Sequence, residues 1–151
     1  MRTYIADNAA AAAAIGRRLG IREERDGLLL CEGGEAVGWC AGPLFRIAPP
    51  ERFLEAGEPE AVPGTGIVFP HHWILEPVEG RGRNILREAL RWALERSDEA
   101  AVATSSGREG ARKGWEILEA FGFRGRRLRL LPEEIEASPG PGLPAARPLT
   151  E

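Results

Sequence analysis

The chain has 151 residues, 43% hydrophobic and 28% charged, with a formal net charge of −3. That length fits one domain with one core, and the composition is that of a folded chain. A net acidic chain is no nucleic-acid polycation, no apolar run approaches the ~20 residues that cross a bilayer, and the N-terminus lacks a signal layout; a cytoplasmic protein without nucleic-acid or membrane partners is expected.

Residues 9–19 predict an alanine-rich helix, capped by Asp7 or Asn8 and stopped by Gly20. Residues 28–31 and 36–41 are apolar runs split by Gly33-Gly34, which predicts a β-hairpin. Cys31 and Cys40 lie in those runs and read as buried free thiols, not as a disulfide framework. Residues 46–66 form a long connection marked by Pro49, Pro50, Pro59, Pro63 and Gly64, with a short helical turn over 51–56. Residues 67–75 predict a strand in which Pro70 marks an irregularity or an edge position. His71 and His72 would point to opposite faces of that strand, and no cluster has metal-site spacing.

The next element is an amphipathic helix over 83–96, with Ile85, Leu86, Ala89, Leu90 and Ala93 as its apolar stripe. A short buried strand over 100–104 follows. A second amphipathic helix spans 109–120, with Gly122 as its stop. Residues 126–131 alternate Arg and Leu in the manner of a last strand, the arginines on a solvated face. The segment after Glu136 is rich in Pro and Gly, so residues 1–136 read as one domain and 137–151 as a flexible tail. The element order predicts an α/β (α+β) domain: a mixed, mostly antiparallel central sheet flanked by helices.

Pro77-Val78-Glu79-Gly80-Arg81-Gly82-Arg83 joins the 67–75 run to the following helix. A strand that turns through glycines into a helix N-terminus presents free N–H groups and the positive end of the helix dipole. Such a turn predicts an anion site for a phosphate-bearing ligand. Arg81, Arg83 and Arg87 add positive charge beside it.

Two segments in order resemble the GNAT acyltransferase superfamily. One is Gly80-Arg81-Gly82 with the helix Asn84-Ile85-Leu86 through Leu90-Arg91-Trp92-Ala93. The other is Ser105-Ser106-Gly107-Arg108-Glu109 through Ile117-Leu118-Glu119-Ala120-Phe121-Gly122-Phe123, similar to the family's strand–helix unit ending in Gly-Phe. The resemblance covers about residues 67–131. It implies that acetyl-CoA or another acyl-CoA is the cofactor. Its pyrophosphate would lie on the backbone of Val78, Gly80, Arg81, Gly82 and Arg83, and its pantetheine arm beside Ile74 and Leu75. It implies direct transfer of the acyl group to an amine acceptor, small molecule or protein. A homodimer is compatible with it. His71, His72 or Glu76, or Glu79 in the turn, would serve as base. Ser105 and Ser106 would be placed for proton donation, or would only turn the chain into its helix.

The sequence departs from that family at two points. Pro77 stands where the family has Gln or Arg, which removes a donor. Leu118 stands where the family often has the tyrosine acid, and leucine donates no proton. Those departures motivate an alternative, a non-catalytic protein of the same fold that binds coenzyme A or a protein partner.

Overall fold

The computed structural model describes residues 1–47, 59–61, 68–70 and 75–150. Strand β1 (Arg2–Ala6) leads into helix α1 (Ala9–Leu19) and a meander of β2 (Ile21–Arg25), β3 (Leu28–Cys31) and β4 (Ala36–Trp39). Four three-residue strands follow, β5 (Phe45–Ile47), β6 (Pro59–Ala61), β7 (Val68–Pro70) and β8 (Leu75–Pro77). The rest is α2 (Arg81–Glu95), β9 (Glu99–Ala103), α3 (Arg108–Ala120), β10 (Arg126–Arg129), α4 (Pro132–Ala137) and β11 (Arg147–Pro148).

Seven strands form one sheet in the order β11-β10-β9-β1-β4-β3-β2. The fold is α/β with a mixed sheet, as the sequence predicts. Of the eight strand pairs among the described residues, five are antiparallel. The three parallel pairs are gathered at the centre, where β10, β9, β1 and β4 all run the same way. The β2–β3 and β11 strands close the two flanks in antiparallel fashion.

Alternation along the central strands supplies two apolar faces. Tyr4, Ala6, Ala101, Ala103 and Leu128 face Ala12 and Ile15 of α1 and Ile135 of α4. Ile5, Ala100 and Val102 face Leu86, Leu90 and Leu94 of α2 and Ile117 and Leu118 of α3. Helices therefore cover both sides of the sheet, as buried parallel strands require. Alanines at 100, 101 and 103 are buried and let the helices approach closely. One such approach is at Gly114, where a Cβ would stand 2.2 Å from Cγ1 of Val102.

Expected elements return with small shifts. Helix α1 has the expected bounds. Its cap is Asn8, whose Oδ1 accepts from the Ala11 N–H at 2.8 Å, and Gly20 ends it at φ +86. The 28–31/36–39 hairpin is present. The 67–75 run gives β7, paired with β6, and β8, paired with β5. His71, His72, Trp73 and Ile74 lie outside the described residues, as do Pro49, Pro50, Pro63, Gly64 and the helical turn expected over 51–56.

Three features differ from the sequence reading. Strand β1 precedes the first element read from the sequence and is the central strand of the sheet. The Arg-rich last strand is not a solvated face throughout, because Arg129 is buried. The segment after Glu136 is packed. Arg18 donates to the carbonyls of Ile135, Ser138 and Gly142 at 2.9, 2.7 and 3.0 Å. Leu143 and Ala146 pack on one core face, and β11 pairs with β10. Proline and glycine composition alone hides such anchoring, since the fixing donors come from α1. Among the described residues no helix is long and apolar enough to cross a membrane.

Candidate functional site at the carboxyl edge of the parallel strands

The connections leaving two adjacent central strands part in opposite directions. From β1 the chain passes to α1 on one face, and β4 then takes the place on one side of β1. From β9 it passes to α3 on the other face and to β10 on the other side. In open α/β sheets the crevice beyond such a switch point is where ligands bind. Each helix runs back against the strands, so helix N-termini gather at this same edge and turn their positive ends toward it.

Asp7 and Asn8 follow β1 there, and Thr104, Ser105, Ser106 and Gly107 follow β9. The Lys113 ammonium donates to Oδ1 of Asp7 at 2.8 Å, with both side chains about a quarter exposed. The hydrogen bond to the Asp7 carboxylate raises the Lys113 pKa, which holds the ammonium protonated. Lys113 is the only lysine among the 20 Lys and Arg residues. Beneath the pair, Cys40 is buried, and desolvation pushes its thiol up to about 12. Cys31 is likewise pushed up to about 11. Neither is a nucleophile at neutral pH, as the sequence predicts.

The β9 end of the crevice is held by Arg129. Its guanidinium donates to the carbonyls of Val102, Thr104 and Ser105 at 2.9, 2.8 and 2.6 Å. Thr104 is itself buried and donates to the Gly110 carbonyl. Gly110 has no room for a side chain, since a Cβ would stand 1.7 Å from the Ser105 carbonyl oxygen. These contacts leave Ser105, Ser106 and Gly107 exposed at the rim. Ser106 donates to Glu133 at 2.6 Å, and this bond lowers the Glu133 pKa. The N-terminus of α3 has Gly107 as its cap at φ +99, with no side-chain cap.

The glycine turn forms the other half of this edge. Helix α2 begins at Arg81, two residues earlier than expected, so Arg81, Gly82 and Arg83 are its first turn and Gly80 is the cap, at φ +147 without a side-chain cap. A Cβ on Gly82 would meet nothing within 4 Å. Arg83 donates through Nε to the Ala41 carbonyl at 3.1 Å. Arg87 is buried and donates to the carbonyls of Leu44 and Val78 at 3.1 and 2.6 Å. Both arginines therefore hold the chain between β4 and β5 against α2. Among the described residues, Arg81 alone of the three has no hydrogen bond or ion pair. Val78 is partly buried, and its N–H is taken by the Leu44 carbonyl at 2.9 Å, so it is not a free donor.

The sequence-derived acid–base candidates do not converge on one point in the described residues. Ser105 is exposed at the β9 end of the edge. Glu76 is on β8, outside the main sheet, and faces Arg46 at 3.6 Å. Leu75 is a partly buried member of β8. His72 and Ile74 fall outside the described residues. Leu118 is fully buried in the core, so that position offers no proton donor to a ligand. The Asp7–Lys113 pair, which the sequence reading missed, had one signal: a single lysine in a chain that otherwise uses arginine.

Compared with known proteins, the chain matches no family model and no curated protein.

Proposed function

We propose that the protein binds a phosphate-bearing ligand at the carboxyl edge of its parallel strands. The observation that carries this reading is the pair of glycine-opened helix N-termini, at Gly80 and Gly107, on one edge with the switch-point crevice. First-turn N–H groups without side-chain caps favour an anion, and the helix dipoles add to it. Arg81 and the Lys113 ammonium supply point charge on either side. Asp7 holds Lys113 extended into the crevice until an anion competes for it.

Coenzyme A is the ligand class that the sequence resemblance implies, with its pyrophosphate on the α2 turn. Binding is the reading favoured over catalysis, because Leu118 is buried hydrocarbon and Glu76 is already engaged. Acyl transfer to an amine is the second reading. The exposed Ser105, on the rim of the same edge, supports it as the one described hydroxyl free to approach a thioester.

Calorimetry with coenzyme A and acetyl-CoA tests the binding. The wild type is expected to bind, and Gly82→Val to bind at least about tenfold more weakly, roughly 1.4 kcal/mol. No heat at millimolar ligand would sink the reading. Thiol release across an amine panel then separates the two versions, since release lost in Ser105→Ala supports transfer and its absence with tight binding supports a sensor.

A further inference from the structure

We propose that a second cavity, on the opposite edge of the sheet, binds a small organic anion with a planar apolar body. The cavity lies between the C-terminal halves of α2 and α3 and has a volume of about 450 Å³. That is within the ~300–1,000 Å³ of small-molecule sites. On its wall, Ser97 lies two residues before β9 and Gly125 immediately before β10. It is therefore at the amino ends of the parallel strands, away from the crevice and the glycine turn.

Its apolar part is Leu94, Ala120, Phe121 and Phe123. Its charged part is two guanidinium groups, Arg91 and Arg124, and one carboxylate, Glu95. Neighbouring arginines have partners: Arg112 pairs with Glu116, Arg126 with Glu99 and Arg127 with Glu119. Among the described residues, neither Arg91 nor Arg124 has a hydrogen bond or an ion pair. Glu95, also on the lining, lies 4.0 Å from the Arg96 guanidinium, which offsets its charge. Arg91 lies over the Phe121 ring, 5.7 Å from its centroid.

A guanidinium stacked on an aromatic ring keeps its planar N–H edge free for a carboxylate or a phosphate. The partly buried Phe121 and the Phe123 wall favour a flat apolar body beside that anion. Both halves are needed. An inorganic anion gains little from two solvated arginines, and a neutral aromatic leaves both unpaired. Aromatic carboxylates and nucleoside monophosphates share this chemistry.

The full chain is titrated with benzoate and with adenosine monophosphate, followed by amide chemical shifts, with acetate and inorganic phosphate as controls. At least one planar anion is expected to bind with a Kd below about 1 mM, shifting the amides of residues 120–125. Arg91→Gln and Arg124→Gln should each weaken it about tenfold or more while melting as the wild type does. Gly82→Val should leave it unchanged, which separates this site from the carboxyl edge. Binding of benzoate alone identifies a carboxylate ligand, and binding of the nucleotide alone a phosphate. The proposal is overturned if neither binds at about 10 mM, if both arginine variants bind as the wild type does, or if inorganic phosphate binds as tightly as the nucleotide.

Discussion

The N-termini of α2 and α3 both follow a glycine at positive φ and both lack a side-chain cap, yet the glycines inside the two helices play opposite parts. In α3, Gly110 and Gly114 are steric necessities, with a Cβ falling 1.7 Å from the Ser105 carbonyl oxygen or 2.2 Å from Val102. They let α3 press against β9 and fix the Ser105–Gly107 rim. In α2, a Cβ on Gly82 would meet nothing within 4 Å, and a glycine in the first helical turn costs stability relative to alanine. A glycine the fold requires says little about ligands, whereas one the fold does not require leaves the backbone open to something outside the chain. The same contrast holds for the cations: Arg83, Arg87 and Arg129 hold backbone carbonyls, while Arg81 and Lys113 face the edge with a lighter commitment.

Substitutions can break or sharpen this contrast. The largest effect is expected at Gly110→Ala, where the new methyl meets backbone and not a movable side chain. A loss above about 4 kcal/mol, or no folded protein, is expected in chemical denaturation; a near-wild-type midpoint would show that the α3–β9 approach is looser than described. Gly114→Ala should cost about 1–3 kcal/mol, because Val102 can turn aside in part. Arg129→Met keeps the bulk but removes the guanidinium from the carbonyls of Val102, Thr104 and Ser105, of which Val102 keeps the Leu130 N–H. It should cost about 1–3 kcal/mol and speed amide exchange in the rim loop; exchange unchanged at 105–107 would mean that Arg129 does not fix that loop. Gly82→Ala should go the other way and stabilise by about 0.5–1 kcal/mol. A melting temperature lowered by Gly82→Ala would mean that the fold does need this glycine, and the contrast would fail.

The smallest effect concerns pH. Burial raises the thiol pKa values of Cys31 and Cys40 above the 9.0 of an open chain, to about 11 and about 12. The folded state then holds thiol protons that the unfolded state releases. This stability is fully present below about pH 9 and is lost as pH rises toward the folded values. Cys40→Ala and Cys31→Ala should each flatten the alkaline fall in melting temperature. Both thiols should also resist a thiol reagent at pH 8 until the chain unfolds.

Local chemistry was the legible part of the fold. Asn8 and Gly20 bracket α1, Gly33-Gly34 turns the hairpin, and apolar stripes mark α2 and α3. Strand order was not legible, because pairing across the sheet leaves no local mark. Strand β1 is the centre of the molecule, yet Thr3-Tyr4-Ile5 at the start of the chain has no flanking turn to announce it. Strand β2, Ile-Arg-Glu-Glu-Arg, is a charged edge with no alternation to read, as suits an unpaired edge. The C-terminal segment misled through its composition, since its anchors are donors of Arg18, 117 to 124 residues away. The candidate site was half legible for the same reason. The glycine turn is local, but Asp7 and Lys113 are 106 residues apart and meet only once β1 and β9 are neighbours.

The most direct test uses the one lysine as a reporter. Amine-reactive labelling of the native chain is followed by mass spectrometry at Lys113 and at the Met1 amine, with and without saturating coenzyme A. If a phosphate-bearing ligand seats at the carboxyl edge, labelling of Lys113 slows by about tenfold or more, while Met1, paired with Asp98 at the amino end of the sheet, is unaffected. Lys113 labelling that stays unchanged with coenzyme A bound would contradict the account.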